Sequence, residues 1–246
     1  MKIISIIEAR MTSSRLPGKV LLKAANKPML YHLISRLKQV KKINEIVIAT
    51  TINKEDDKII NFAKKNNIKF FRGSEKNVLE RVYYAARFFK ANIIVQITGD
   101  CPIIDPVIVE QVLDTFLLNN ADYVGNSHIR SYPDGMDVQV FSFKSLEKCN
   151  LICSAPLERE HVTLGLRRRP KIFKPIHIIA PKNLLWPSLG LTLDEKKDYI
   201  FLKKIIEHFT RVKNKNFSCY DVINLLKKNK KHWLKINQKV KRKGDT

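Results

Sequence analysis

Four cysteines in 246 residues, Cys101, Cys149, Cys153 and Cys219, are too few and too scattered for a disulfide framework. Cys149 and Cys153 would share one face of a helix. Neither a second pair nor a nearby histidine completes a zinc site, so ordinary buried thiols are expected. No apolar run approaches the length that crosses a bilayer, and the N-terminus lacks a signal-peptide pattern. A soluble, cytoplasmic protein is therefore expected. The chain shows no internal repeat and no Ser/Gly/Pro-rich linker, so no second independent domain is predicted. It also shows no Ser/His or Cys/His arrangement of the kind that covalent catalysis uses. Acids are scarce as well: 23 Asp and Glu stand against 46 Lys and Arg, a net charge of +23. That excess suits a nucleic-acid binder, an anionic membrane surface or a phosphorylated substrate. The lysines are dispersed, however, without the stripe of Arg and aromatics that single-strand binders use. Compositional drift together with an anionic small substrate is the better reading, and no specific nucleic acid is expected.

An apolar fraction of 44% with 9% aromatics is that of a globular chain, long enough to bury a full core. Its most informative stretch is IISIIEARMTSSRLPGK, residues 3–19. Ile3, Ile4, Ile6 and Ile7 form the β-branched run of a strand covered on both faces. Arg10, Arg15 and Lys19 then follow within one loop. In open α/β sheets the carboxyl end of such a strand is where ligands bind. Two guanidinium forks and an ammonium gathered there suit a polyanion, most simply a triphosphate. In so basic a chain, an ordinary basic surface loop is the competing explanation.

Beyond this loop, short apolar runs alternate with helical patterns. Residues 43–51, 68–73 and 92–100 read as strands, and 54–67 and 77–90 as helices. A further helix runs from Pro106 to about Leu118, with Asp105 as its cap. The alternation predicts a doubly wound, mostly parallel α/β sheet with helices on both faces. After residue 120, ADYVG, MDVQVFS and KIFKPIHII look like strands around a helical ERE region, and two helices follow Asp194.

A second site appears in ITGDCPIID, where a strand delivers Gly99 and Asp100 to the same sheet edge as the cationic loop. An acid beside bound phosphates is a natural Mg²⁺ ligand, since Mg²⁺ prefers hard oxygen donors and keeps waters and phosphates. LTLDEKKDY supplies a second acid, Asp194, whose position also fits a helix N-cap. Cys101 reads as a small residue filling the turn and not as a nucleophile.

In combination, these segments resemble the cytidylyltransferase family that activates sugar acids for bacterial polysaccharides. IEARMTSSRLPGKVL resembles the signature loop of enzymes making CMP-linked Kdo and CMP-linked nonulosonic acids. FRGSEKNVLERVYYAA (71–86), TGDCPIID and LTLDEKKDY match three further family segments in order. YPDGMDVQVFS (132–142) and EREHVT (158–163) bring the spore-coat polysaccharide branch nearest. The resemblance covers roughly residues 1–210 and implies a Rossmann-like sheet of the nucleotide-diphospho-sugar transferase type. It implies one nucleotidyltransferase domain over 1–224, with 126–190 supplying the acceptor-sugar and dimer region, and a basic C-terminal helix or tail over 225–246.

The resemblance also implies roles. Arg10, Arg15 and Lys19 would hold the β- and γ-phosphates, and with Asp100 would form the catalytic set. Ala9, Thr50, Asn77, Val78, Thr98 and Gly99 would complete the nucleotide site. Asp100 and Asp194 would hold Mg²⁺. Asp134, Asp137, Glu160 and His161 would border the acceptor sugar; locally, Asp134, Gly135 and Asp137 read as a tight turn. The implied partners are a nucleoside triphosphate (CTP favoured), a sugar acid or sugar phosphate, and a second copy in a homodimer. Glu8 stands where the family usually has a neutral residue, often Gln. Gly190 stands where a basic residue is common, so the sugar does not carry over.

Two other readings stay open on sequence grounds. One is an NTP:sugar-1-phosphate nucleotidyltransferase using GTP or CTP. The other is a non-catalytic binder of nucleic acid or membrane surface. Residues 225–246 hold nine basic residues and one acid, with Leu226, Trp233, Ile236 and Val240 at helical spacing. That pattern fits a basic amphipathic helix with weak membrane-surface contact, or a helix packed on the domain.

Overall fold

The computed structural model describes residues 1–240. Strand β1 (Ile3–Glu8) is buried along its apolar length and lies inside a seven-stranded sheet of order β5-β4-β1-β6-β8-β7-β9. The strands are β4 (Glu45–Thr51), β5 (Lys69–Gly73), β6 (Ile93–Thr98), β7 (Tyr123–Gly125), β8 (Gln139–Ser142) and β9 (Pro175–His177). A short hairpin, β2 (Lys23–Ala24) and β3 (Lys27–Pro28), stands apart from the sheet. β1 pairs in parallel with both β4 and β6, and β8 alone runs against its neighbours β6 and β7. The mostly parallel, doubly wound architecture read from the sequence is the one observed.

Side-chain alternation along β1 divides the core in two. Ile3 and Ile7 face α1 (Met29–Leu37), α4 (Pro106–Leu118) and α8 (Lys196–Arg211) through Leu33, Val112 and Ile205. Ile4 and Ile6 face α3 (Val78–Phe88) and α5 (Phe143–Ile152) through Leu79, Val82 and Leu146. Each fully buried isoleucine contributes about 1.5–3 kcal/mol, so this run anchors the sheet. The remaining helices are α2 (Asp57–Lys65), α6 (Pro156–Glu160), α7 (Leu164–Arg168) and α9 (Cys219–Asn224). Asp105 caps α4 by accepting from the Val107 amide at 2.9 Å, and its other oxygen accepts from Cys219 at 2.6 Å. One carboxylate thereby ties α4 to α9.

The structure departs from the sequence reading in four places. The 54–67 helix begins as a separate 3₁₀ turn, Lys54–Asp56, because the Asp56 carboxylate turns inward to bond backbone amides. The MDVQVFS strand is reduced to Gln139–Ser142, preceded by the left-handed turn at Gly135 (φ 101°). Asp194 is not the cap of α8: Glu195 is, in a reciprocal capping box with Asp198, which leaves the Asp194 carboxylate free of that duty. Among its described residues, the basic C-terminal stretch is no continuous helix. It follows α9 as a π-helical turn, Leu225–Asn229, and a 3₁₀ segment, Lys231–Ile236, whose Leu226 and Trp233 are buried in the main core. Burial of these two side chains outweighs regular helical geometry. Val240 is half-buried, and the last six residues of that stretch lie outside the described residues. No helix among the described residues is long and apolar enough to cross a membrane.

Candidate active site

The loop after β1 is pinned from both sides. Gly18 donates to the Met11 carbonyl at 2.8 Å, closing the loop on itself and setting Lys19 at the start of a 3₁₀ turn. The Met11 amide donates to Asp56 at 2.6 Å, and Asp56 also accepts from the Thr51 amide at 3.1 Å. Glu75 accepts from the Thr12 hydroxyl, from Asn53 at 2.6 Å and from Arg10 at 3.4 Å. These hydrogen bonds hold the Glu75 carboxyl below its ordinary pKa. Sequence reasoning missed both acids. By sequence Asp56 falls within the helical pattern of 54–67, whereas Glu75 lies inside the FRGSEKNVLER segment, which is a usable signal.

The β6 tip approaches β1 through Gly99, whose amide donates to the Glu8 carbonyl at 2.8 Å. A Cβ at Gly99 would lie 2.7 Å from that same oxygen, so only glycine permits this contact. Asp100 follows. Its carbonyl accepts from Leu193 at 2.8 Å, and Leu191 donates to the Asp134 carbonyl at 2.7 Å, so the 189–194 segment is laid against the strand tip. Asp194 is thereby delivered beside Asp100.

The Lys19 ammonium sits between the two carboxylates, 2.9 Å from Asp100 Oδ2 and 3.1 Å from Asp194 Oδ1. Arg15 reaches the same Asp194 oxygen at 2.9 Å. Burial opposes the charged forms, but the opposite charges prevail: Lys19 is raised and Asp100 lowered from their ordinary values. A cavity of about 290 Å³ opens over this cluster. Arg10, Arg15, Lys19, Asp100 and Asp194 line it, as do Ala9, Val78, Thr98 and Gly99 of the expected nucleotide set. Thr50 and Asn77 do not line it: Thr50 is fully buried, and Asn77 caps α3 by accepting from Glu80 at 3.1 Å. Arg81, one helical turn beyond Val78, lines the cavity, and sequence reasoning missed it although it belongs to the quoted VLER motif.

A recess of about 130 Å³ adjoins the cavity and shares Glu8, Thr98, Glu160 and His161 with it. Its other walls include Gln96, Arg130, Asp137, Gln139 and Arg167. Asp134 lines neither space; it bonds Arg130 at 3.3 Å and Thr192 at 3.1 Å. Glu8 accepts from Gln96 and stands in the field of Arg81, yet burial dominates and pushes its carboxyl up to about 7. Asp137 is likewise raised by burial to about 7, against the pull of Arg130 at 3.2 Å. Cys101 is fully buried, and burial pushes its thiol well above the ordinary value, as befits a turn-filling residue. Cys149 on α5 and Cys153, which ends that helix as its C-cap, are buried thiols 3.4 Å apart. A larger cavity of about 490 Å³, lined in part by Tyr31, Arg36 and Phe217, contains none of the candidate residues.

The family model that matches residues 4–240, almost the whole chain, is that of the cytidylyltransferases. The chain belongs to the cytidylyltransferase family. A solved cytidylyltransferase from Leptospira borgpetersenii superposes with a TM-score of 0.89 at 36% identity, covering 99% of both chains. The Bacillus subtilis spore coat polysaccharide biosynthesis protein SpsF is 31% identical over 92% of this chain and 95% of its own. The 3-deoxy-manno-octulosonate cytidylyltransferase of Geobacter sulfurreducens is also 31% identical, over 57% of this chain and 56% of its own. This cytidylyltransferase is accordingly a nucleotidyltransferase enzyme, and the non-catalytic alternative falls away.

Proposed function

We propose that this cytidylyltransferase transfers the cytidylyl group of CTP to a sugar acid, giving a CMP-sugar, pyrophosphate and a proton, for surface-polysaccharide synthesis. The observation that carries the reading is the convergence of Arg15, Lys19, Asp100 and Asp194 on one cavity at the tips of β1 and β6. Similarity to the Geobacter enzyme and to SpsF supports a sugar acid and a polysaccharide setting.

In this reading the sugar hydroxyl attacks the α-phosphorus as pyrophosphate leaves on the opposite side. Arg10, Arg15 and Lys19 bind the triphosphate through charge-assisted bonds, each contributing on the order of 1.5–3 kcal/mol. Their larger effect falls on the departing pyrophosphate, where charge accumulates in the transition state. Glu8, Asp137, Glu160 and His161, around the adjoining recess, orient the acceptor by hydrogen bonds. Placement of both reactants supplies the remaining acceleration.

Asp100 and Asp194 would hold a magnesium ion. Two carboxylates already converging on one cation fit it, since Mg²⁺ needs only one or two carboxylates alongside water and phosphate. When bound, it would polarise the phosphate oxygens and neutralise developing charge.

A thermal-shift panel of CTP, GTP, UTP, ATP and TTP, with and without Mg²⁺, tests the site. A selective, Mg²⁺-dependent rise with CTP is expected, followed by pyrophosphate release when a 3-deoxy sugar acid is added. Release with a sugar 1-phosphate instead would establish the second reading, which the Arg130 and Arg167 side chains beside the recess also suit. The proposal includes cytosolic action as a homodimer, for which sedimentation must return twice the chain mass.

A further inference from the structure

We infer that Lys19 serves as the counter-ion of the carboxylate pair in the nucleotide-free protein, excluding a divalent cation until a triphosphate draws the ammonium away. This rests on the proposed nucleotide site and concerns how that site is loaded. Lys19, Asp100 and Asp194 have side chains only 12%, 24% and 13% exposed, so their charges must be balanced locally. The balance is complete without any ligand. Two carboxylates face the Lys19 ammonium at 2.9 and 3.1 Å and the Arg15 guanidinium at 2.9 Å.

A dication held by these carboxylates would have to share them with the Lys19 ammonium, and like charges in so sheltered a place repel strongly. Nor can a triphosphate enter alone without opposing the two carboxylates. Metal and nucleotide together resolve both conflicts. Asp100 and Asp194 would then hold the metal, and Lys19 and Arg15, which line the same cavity, would turn to the triphosphate. Lys19 suits the exchange because an ammonium on a flexible four-carbon stem re-aims without moving the backbone. Its own backbone is held by the closed loop, where Gly18 donates to Met11 at 2.8 Å. The exchange makes metal and triphosphate binding mutually dependent, since each favours the state that the other needs.

The inference is tested by Mn²⁺ binding to nucleotide-free protein, followed by electron paramagnetic resonance. The wild-type protein should bind Mn²⁺ weakly, and Lys19→Gln should bind it at least about tenfold tighter, because removing one cation leaves the pair with excess negative charge. Adding Asp100→Asn to Lys19→Gln should abolish the gain. Equal Mn²⁺ affinity in wild type and in folded Lys19→Gln would overturn the inference. Should Lys19→Gln fail to fold, ¹⁵N-labelled lysine in the wild type decides. The Lys19 resonance must stay put with Mg²⁺ alone and move with Mg²⁺ plus CTP; movement with Mg²⁺ alone overturns the inference. Absence of binding by any nucleoside triphosphate would defeat the proposed function instead, and the Mn²⁺ comparison would still judge Lys19.

Discussion

The phosphate end of the cavity and the recess beside it grow from the same two strand tips but treat charge in opposite ways. At the phosphate end each charge has a partner: Arg15 and Lys19 meet Asp100 and Asp194 at 2.9–3.1 Å, and Asp100 is held below its ordinary pKa. In the recess, burial overrides the neighbouring cations, and Glu8 and Asp137 are both pushed up to about 7. Equal depth therefore produces opposite protonation behaviour, and the local pairing decides which way each acid goes. The phosphate end suits a polyanion. The recess suits hydroxyls, with carboxyl groups that can accept or donate.

The strongest way to break this comparison is Asp100→Asn. It should lower kcat/KM by about a thousandfold or more while leaving the fold intact, because it removes a charge that matters most in the transition state. Full turnover in a folded sample would remove Asp100 from the site. Glu8→Gln comes next and probes the recess. With a folded pKa of about 7 against an ordinary 4.5, the stabilisation from protonated Glu8 is complete below about pH 4.5 and lost as pH rises through 7. Gln cannot ionise, so the variant should gain on wild type as pH rises, by on the order of 3 kcal/mol at most. Urea unfolding at pH 5 and 8.5 measures it, and a pH-independent difference would show that Glu8 is not the titrating group.

Gly99→Ala tests the junction that both regions share. Its Cβ would lie 2.7 Å from the Glu8 carbonyl, so a loss of about 1–3 kcal/mol in unfolding free energy is expected. An unchanged midpoint would mean that the strand tips separate freely. Smallest is Glu75→Ala, which loosens the phosphate loop at Arg10 and Thr12 without touching the carboxylate pair. It should raise the KM for nucleotide about tenfold, roughly 1.4 kcal/mol, and leave kcat nearly unchanged. A fall in kcat at constant KM would place Glu75 in the chemistry itself.

The phosphate end was legible in the sequence because its residues announce themselves locally. Three cations follow one buried strand, and two acids each follow an apolar stretch. The recess was less legible. Gln96 reads as one polar residue in an apolar strand, and Gln139 as part of a longer strand than the one that forms. The two become cross-strand neighbours only through the antiparallel pairing of β6 and β8. Asp56 and Glu75 were hidden for a similar reason: their partners, Met11 and Thr12, are reached only across the sheet edge. By residue type Asp194 is the better cap for α8 than Glu195. Only the reciprocal bonds with Asp198 select Glu195.

By itself the sequence determined the doubly wound sheet, its buried first strand and the chemical character of the cationic loop, because these follow from periodicity and from which residues tolerate water. The tertiary structure decided where Asp194 goes, which acids remain charged and how Lys19 is engaged. Those outcomes depend on distances between segments far apart in the chain. Coulombic pairing and desolvation change steeply over a few ångströms, a scale that residue order does not encode.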